Sequence, residues 1–164
     1  MKIKYIAIIV LLVCFLGCTS IDSNAKVAAA AAITSFSDAS GKDLKLVEVQ
    51  IDSVPFSRKI IYSREELVRE RIGDIFTLRF NADSIGGKGA PNQYSAPYTR
   101  NNQALEIKTV SSSLMAPIIQ PEKIQEQAYF QLLQNAYEWK TENGKMVLLT
   151  KTEDGSPARL IFSL

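Results

Sequence analysis

The sequence predicts an α+β domain: a small antiparallel β-sheet, or partial barrel, wrapped around one amphipathic helix, with a short capped helix beside it. Three observations predict it. Period-two apolar patterns recur from Leu44 to the end of the chain. Two turn signals near that end, Asn143-Gly144 and Asp154-Gly155, fold three strands into a meander. One stretch, residues 121–136, carries an apolar stripe at helical spacing and helical length. Strands that outnumber helices, with the helices unevenly placed among them, belong to the α+β class.

In chain order, the first element is not part of that domain. Lys2 and Lys4 are followed by residues 5–16 without a charge. A basic start and a short apolar run have the shape of a secretory signal. Crossing a bilayer core of ~30 Å takes ~20 apolar residues, so the run is too short for a permanent span. It ends in Leu16-Gly17-Cys18. Lipoprotein signal peptidase requires a small residue before the cysteine; Gly17 satisfies this for Cys18, whereas the bulky Val13 rules out Cys14. The stretch resembles a bacterial lipobox, with Phe15 where leucine is usual. Residues 1–17 are therefore expected to be a lipoprotein signal peptide and Cys18 the lipidated first residue of the mature chain. Each buried methylene contributes ~0.8 kcal/mol, so two fatty chains of palmitate type hold a protein on a membrane without a helix. The alternative is an ordinary secreted chain, cut after Gly17 or Ser20, in which Cys18 is incidental.

Removal of residues 1–17 takes away two lysines and no acid, leaving 17 basic against 17 acidic residues. A neutral mature chain carries no electrostatic signature of nucleic-acid binding. With Cys14 discarded and Cys18 acylated, no thiol is left for a disulfide, a thiolate metal site or a nucleophile. The sequence contains no histidine, which removes the commonest general base and metal ligand. Residues 18–42 are rich in Ser, Ala and Asp and are expected to be the acylated cysteine and a flexible tether. As a coil they reach roughly 25–30 Å. The domain is then residues 43–164, long enough for one core.

Within the domain, "LKLVEVQI" places Val47, Val49 and Ile51 on one face of a strand, and "KIIY" supplies a second strand. Ser63 and Glu66 have capping-box spacing and Gly73 suits a helix end, which predicts a short helix over 64–72. "IFTLRF" alternates Phe76, Leu78 and Phe80 inward, and "ALEIKTV" does the same with Leu105 and Ile107. The main helix opens at Pro121 and Glu122, and Ile124, Ala128, Leu132 and Ala136 form its stripe. Gln125, Glu126 and Gln134 lie off that stripe and are expected at the surface.

No constellation spells out an activity. "GGKGAPN" (86–92) invites a phosphate-loop interpretation but lacks the Lys-Ser/Thr ending and a following helix; glycines that allow a close turn between strands explain it better. Ser111, Ser112 and Ser113 have no histidine to activate them, and a Ser–Lys pairing with Lys108 rests on two common residue types. Glu65, Glu66, Glu70 and Asp74 are interleaved with Arg64, Arg69 and Arg71, as on a solvated face. Tyr94, Tyr98, Tyr129, Tyr137 and Trp139 either line a pocket or serve the core with polar tips at its rim. No catalytic, cofactor-binding or metal-ligating residue is assigned, and no cofactor is expected.

The segments "GKGAPNQYSAPY", "ALEI", "SSSLMA", "EKIQEQAYFQLLQ", "YEWKTENGKMVLL" and "RLIFSL" follow one another in the order of the META domain, the family of the heat-inducible HslJ-type proteins, and the chain from about 44 to 164 resembles it. Leu44 stands where the family often has Trp. Many bacterial members carry a cysteine before the Asn and another after "Ma", where this chain has Ala90-Pro91-Asn92 and Met115-Ala116-Pro117. The resemblance implies a small antiparallel β structure folded round one helix, found in envelope-associated proteins linked to stress tolerance and virulence, without catalytic residues.

The expectation is a non-enzymatic lipoprotein of the bacterial cell envelope, anchored through Cys18, that presents a META-type domain as a binding or assembly module to a protein partner. Two alternatives remain: a carrier of a small apolar ligand or lipid, and an envelope inhibitor of a hydrolase acting through a loop such as 86–94. A filled core, an apolar cavity and a protruding glycine loop would respectively distinguish the three.

Overall fold

The structure is a computed structural model that describes residues 31–53, 58–68, 74–116 and 121–164. Cys18 and the segment expected to be a signal peptide lie outside the described residues. Among the described residues ten strands run β1 (Leu44–Ser53), β2 (Arg58–Ser63), β3 (Thr77–Phe80), β4 (Ser84–Lys88), β5 (Gln93–Asn101), β6 (Ala104–Ile107), β7 (Ser111–Ser112), β8 (Glu138–Glu142), β9 (Lys145–Lys151) and β10 (Pro157–Ser163). Among the described residues three helices join them: α1 (Phe36–Ala39), α2 (Arg64–Leu67) and α3 (Glu126–Gln134).

Eight of the strands close into an antiparallel barrel in the order β1-β3-β4-β5-β6-β8-β9-β10, and β10 pairs back onto β1. The closing seam joins Lys45 to Ser163 at one end and Ile51 to Ala158 at the other. This corrects the expected partial sheet wrapped around a helix. The hairpins were legible as local turn chemistry, but the β1–β10 pairing joins the two ends of the domain and has no local signal. An eight-stranded barrel is just wide enough for side chains to fill. Leu44, Leu46, Val49, Leu78, Phe80, Ile85, Leu105, Leu148, Leu160 and Phe162 are buried, so strands, not a helix, supply most of the interior.

The helix packs across one end instead. α3 meets the barrel where β4 and β9 finish and β5 begins: Thr150 donates its hydroxyl proton to the Leu132 carbonyl at 2.6 Å, and the helix start bonds to Ala90 and Asn92. Its buried face is Tyr129, Phe130, Leu132 and Leu133, whereas Ala128 is exposed. Of the expected stripe, Ile124, Leu132 and Ala136 are buried and Ala128 is not; the helix itself is shorter than expected, starting at Glu126 and not at Pro121.

The opposite end is closed by the segment expected to be tether. Ile33 and Ala39 are buried, Phe36 packs edge-on against Phe80 at 4.9 Å and Trp139 at 5.0 Å, and Gly41 donates to the Phe80 carbonyl. The boundary expected at residue 43 therefore falls too late; residues 33–42 belong to the fold. Their few apolar positions are too sparse to show a period.

Smaller departures have equally local causes. A β-bulge between Leu46 and Glu48 shifts the phase of β1, so Leu44, Leu46 and Val49 point inward and Val47 does not. α2 ends at Leu67, short of the expected 72, and residues 69–73 lie outside the described residues. Asn143 and Gly144 both take positive φ (51° and 73°), the two-residue turn expected between β8 and β9. Asp154-Gly155 instead sits inside the five-residue connection between β9 and β10, whose Asp154 carboxylate accepts bonds from Thr152 and Ser156.

Candidate binding groove

The β1–β2 hairpin continues beyond the barrel, since Asp52 and Ser53 pair with Lys59 and Arg58 past the start of β10. One face of this hairpin carries Ile51, Ser53, Ile60 and Tyr62 and looks toward α3. Between them and the 152–156 turn lies an open groove of about 770 Å³. Its apolar walls are Ile51, Ile60 and Tyr62 on the hairpin and Ile124, Ala128 and Leu132 on the helix side; Lys123, Gln125, Gln131 and Glu153 form polar parts of its lining. A groove of this size with mixed lining falls in the range of binding sites. A second concavity of about 580 Å³ lies at the α1 end, with Phe36, Tyr98 and Trp139 along it and the Arg100 guanidinium 4.3 Å from the Phe36 ring centre. Both sit outside the barrel. The barrel's own axis is occupied by its core, with Phe80, Leu148, Leu160 and Phe162 fully buried.

The 86–92 stretch is drawn inward. A Cβ on Gly87 would collide with the Thr77 carbonyl, and one on Gly89 would strike the Glu126 carboxylate and the Phe130 ring. The glycines are there for close approach. Glu126 accepts the Ala90 and Asn92 backbone protons at 2.5 and 2.7 Å through Oε1, and the Asn92 amide through Oε2 at 2.7 Å. Asn92 Oδ1 in turn accepts from the Ser113 hydroxyl (2.8 Å) and the Met115 backbone N–H (2.7 Å). One asparagine thus ties the β4–β5 turn, the 113–115 segment and the start of α3 together. Glu126, expected at the surface, is the hub of this junction; a carboxylate at the first helical position is also favoured by the helix dipole. The junction removes the observation behind the inhibitor alternative, because the loop does not protrude.

The remaining candidates resolve as follows. Ser113 is committed to the Asn92 junction, and Lys108 pairs with Glu106 on the surface. Arg64 does not belong to a solvated face: its guanidinium donates to the Leu46 and Ile75 carbonyls at 3.1 and 2.9 Å, and burial pulls its pKa below the ordinary arginine value. Glu66 closes the capping box onto the Ser63 N–H, as the spacing predicted. Tyr94 and Tyr129 are core residues that share the Thr77 carbonyl (2.8 and 3.1 Å), and burial pushes both phenols above their usual value. Tyr98 and Trp139 line the α1-end concavity with their polar tips on Asn81 and Asn102, and Tyr137 is exposed. Among the described residues no cluster of three acidic, histidine or cysteine side chains is placed to hold a metal, and no helix is long and apolar enough to cross a membrane.

Comparison with known proteins agrees with this architecture. A solved NMR structure of a protein from Burkholderia xenovorans aligns with 77% of this chain and 85% of its own, with a TM-score of 0.53 at 14% identity, a likeness of fold. No curated protein matches the sequence. The model of the META domain family matches residues 63–161. Since that match spans more than half of the chain, the protein belongs to the META domain family.

Proposed function

We propose that the chain is a lipid-anchored protein of the bacterial cell envelope that presents its META domain as a non-enzymatic module for binding a protein partner. The observation that carries the module is the arrangement of its surfaces: a barrel filled by its own side chains, with the α3–hairpin groove of about 770 Å³ on the outside. An open groove beside a projecting hairpin suits a polypeptide better than an enclosed pocket would suit a small ligand. The anchor is supported by Gly17-Cys18 at the end of the apolar run. A stress- or virulence-related role accords with the family.

Metabolic labelling with a fatty-acid analogue, followed by membrane fractionation, tests the anchor. Cys18→Ser is expected to lose the label and leave the membrane fraction, while Cys14→Ser keeps both. Label persisting on the Cys18→Ser protein would overturn the lipoprotein assignment.

A further inference from the structure

The hairpin that walls the groove also exposes a strand edge. Among the described residues β2 pairs with β1 along residues 58–63 and with no other strand. Edge strands usually guard themselves with a central lysine, a proline or a bulge. Here the basic residues, Arg58 and Lys59, stand at the start, and the middle reads Ile60-Ile61-Tyr62 in unbroken register with β1. Ile61 is 49% exposed on the face opposite the groove. An extended backbone is what satisfies an unpaired strand edge, and an apolar side chain opposite is what covers Ile61.

We propose that this edge pairs, antiparallel, with the same edge of a second copy of the chain, about a two-fold axis centred on Ile61. The proposal goes beyond the binding-module reading, since its surface is the outer edge of the hairpin and not the groove. A two-fold perpendicular to a sheet preserves its faces, so each residue must oppose one from the same face. Centred on Ile61, the register sets Ile61 against Ile61 and, on the groove face, Ile60 against Tyr62 twice. Aromatic and β-branched cross-strand neighbours of this kind stabilise sheets. Lys59 then opposes Ser63, with Glu65 and Glu66 just beyond it. Arg58 comes beside Arg64, whose guanidinium is already turned inward onto the Leu46 and Ile75 carbonyls. Centring on Ile60 instead would set Lys59 against Ile61 and leave the exposed isoleucines unpaired with each other. Tethering in one membrane favours such pairing by raising the effective concentration of copies.

The test is cysteine cross-linking of the full chain in membranes of expressing cells, under mild oxidation. Opposed residues of antiparallel strands lie within disulfide reach, so Ile61→Cys should give on the order of tenfold more covalent dimer than Thr99→Cys on the exposed face of β5. Lys59→Cys and Ser63→Cys, co-expressed, should link to each other and neither to itself, which fixes the register by a second route. Background linking through Cys14 or Cys18 is read from the parent chain. Dimer from Ile61→Cys no greater than from Thr99→Cys, or self-linking of Lys59→Cys, overturns the proposal. Linkage of Ile61→Cys to a different protein also overturns it while leaving the binding-module reading standing, and loss of the parent chain from the membrane strikes only the anchor.

Discussion

Single residues hold the junctions of this fold, and the most consequential are polar. Glu126 gathers three donors from the β4–β5 turn, and Asn92 hands the connection on to Ser113 and Met115. Bonds to a charged acceptor contribute ~1.5–3 kcal/mol each in favourable settings, and orphaned donors add a desolvation cost. Glu126→Ala should therefore lower stability by about 2–3 kcal/mol, not the few tenths of a surface site, and its effect should be strongly non-additive with Asn92→Ala in chemical denaturation. Glu126 lies off the apolar stripe, and helical spacing reports which face is oily but says nothing about a carboxylate that reaches sideways to a turn. Asp38 makes a second residue-scale case. Its carboxylate accepts from the Thr34 hydroxyl and from the Thr34 and Ser35 N–H groups, which lowers its pKa to about 2. A depressed carboxylate stabilises the fold above its unfolded value of ~3.9, and the contribution is lost as pH falls through the folded value. Asp38→Asn should accordingly melt below the parent at pH 7, and thermal melts of the two should converge between pH 4 and pH 2.

Elements were legible where their signal is local. Strand alternation found Phe76, Leu78, Phe80, Leu105 and Ile107, all buried, and Asn143-Gly144 marked its hairpin. The capping box marked the start of α2. What failed was every element whose place depends on distant chain. The four residues of α1 have no period of their own, yet Phe36 fills the space between Phe80, Tyr98 and Trp139. The bulge in β1 is imposed by β10, with which it pairs. α1 carries a direct test of the revised boundary. Phe36→Ala removes a half-buried ring, so it should cost ~1–3 kcal/mol, below the ~3–5 kcal/mol of a fully buried phenylalanine. A thermal midpoint within a degree of the parent would return residues 33–42 to the tether.

At the scale of the molecule, the family match begins at Ser63, while the barrel needs β1, which precedes it. β1 spends one edge on β10 and divides the other between β3, at Leu44 and Lys45, and β2, from Glu48 to Ser53. That division explains both the closure and the hairpin that overhangs the groove: the strand is longer than the barrel requires, and its surplus becomes the candidate binding surface. The two helical segments α1 and α3 close opposite ends, and the shortest contact of the ring, β6 with β8 at Ala104 and Glu138, is bonded on both flanks by Leu105 N–H to the Tyr137 carbonyl and Trp139 N–H to the Gln103 carbonyl. The groove was invisible in the sequence because its walls come from four separated stretches, none of them unusual in composition.

Closure of the ring through β1 and β10 is the claim on which the groove, the overhanging hairpin and the filled core all rest. Amide hydrogen exchange on the full chain measures it directly, because paired amides in a closed barrel open only with the whole core. The amides of Gln50 and Arg159, which face each other across the seam, should exchange as slowly as that of Leu148 in β9, and those at the β2 edge faster. Exchange of Gln50 and Arg159 at the fast rate of edge strands, with Leu148 still protected, would mean an open sheet and contradict the account.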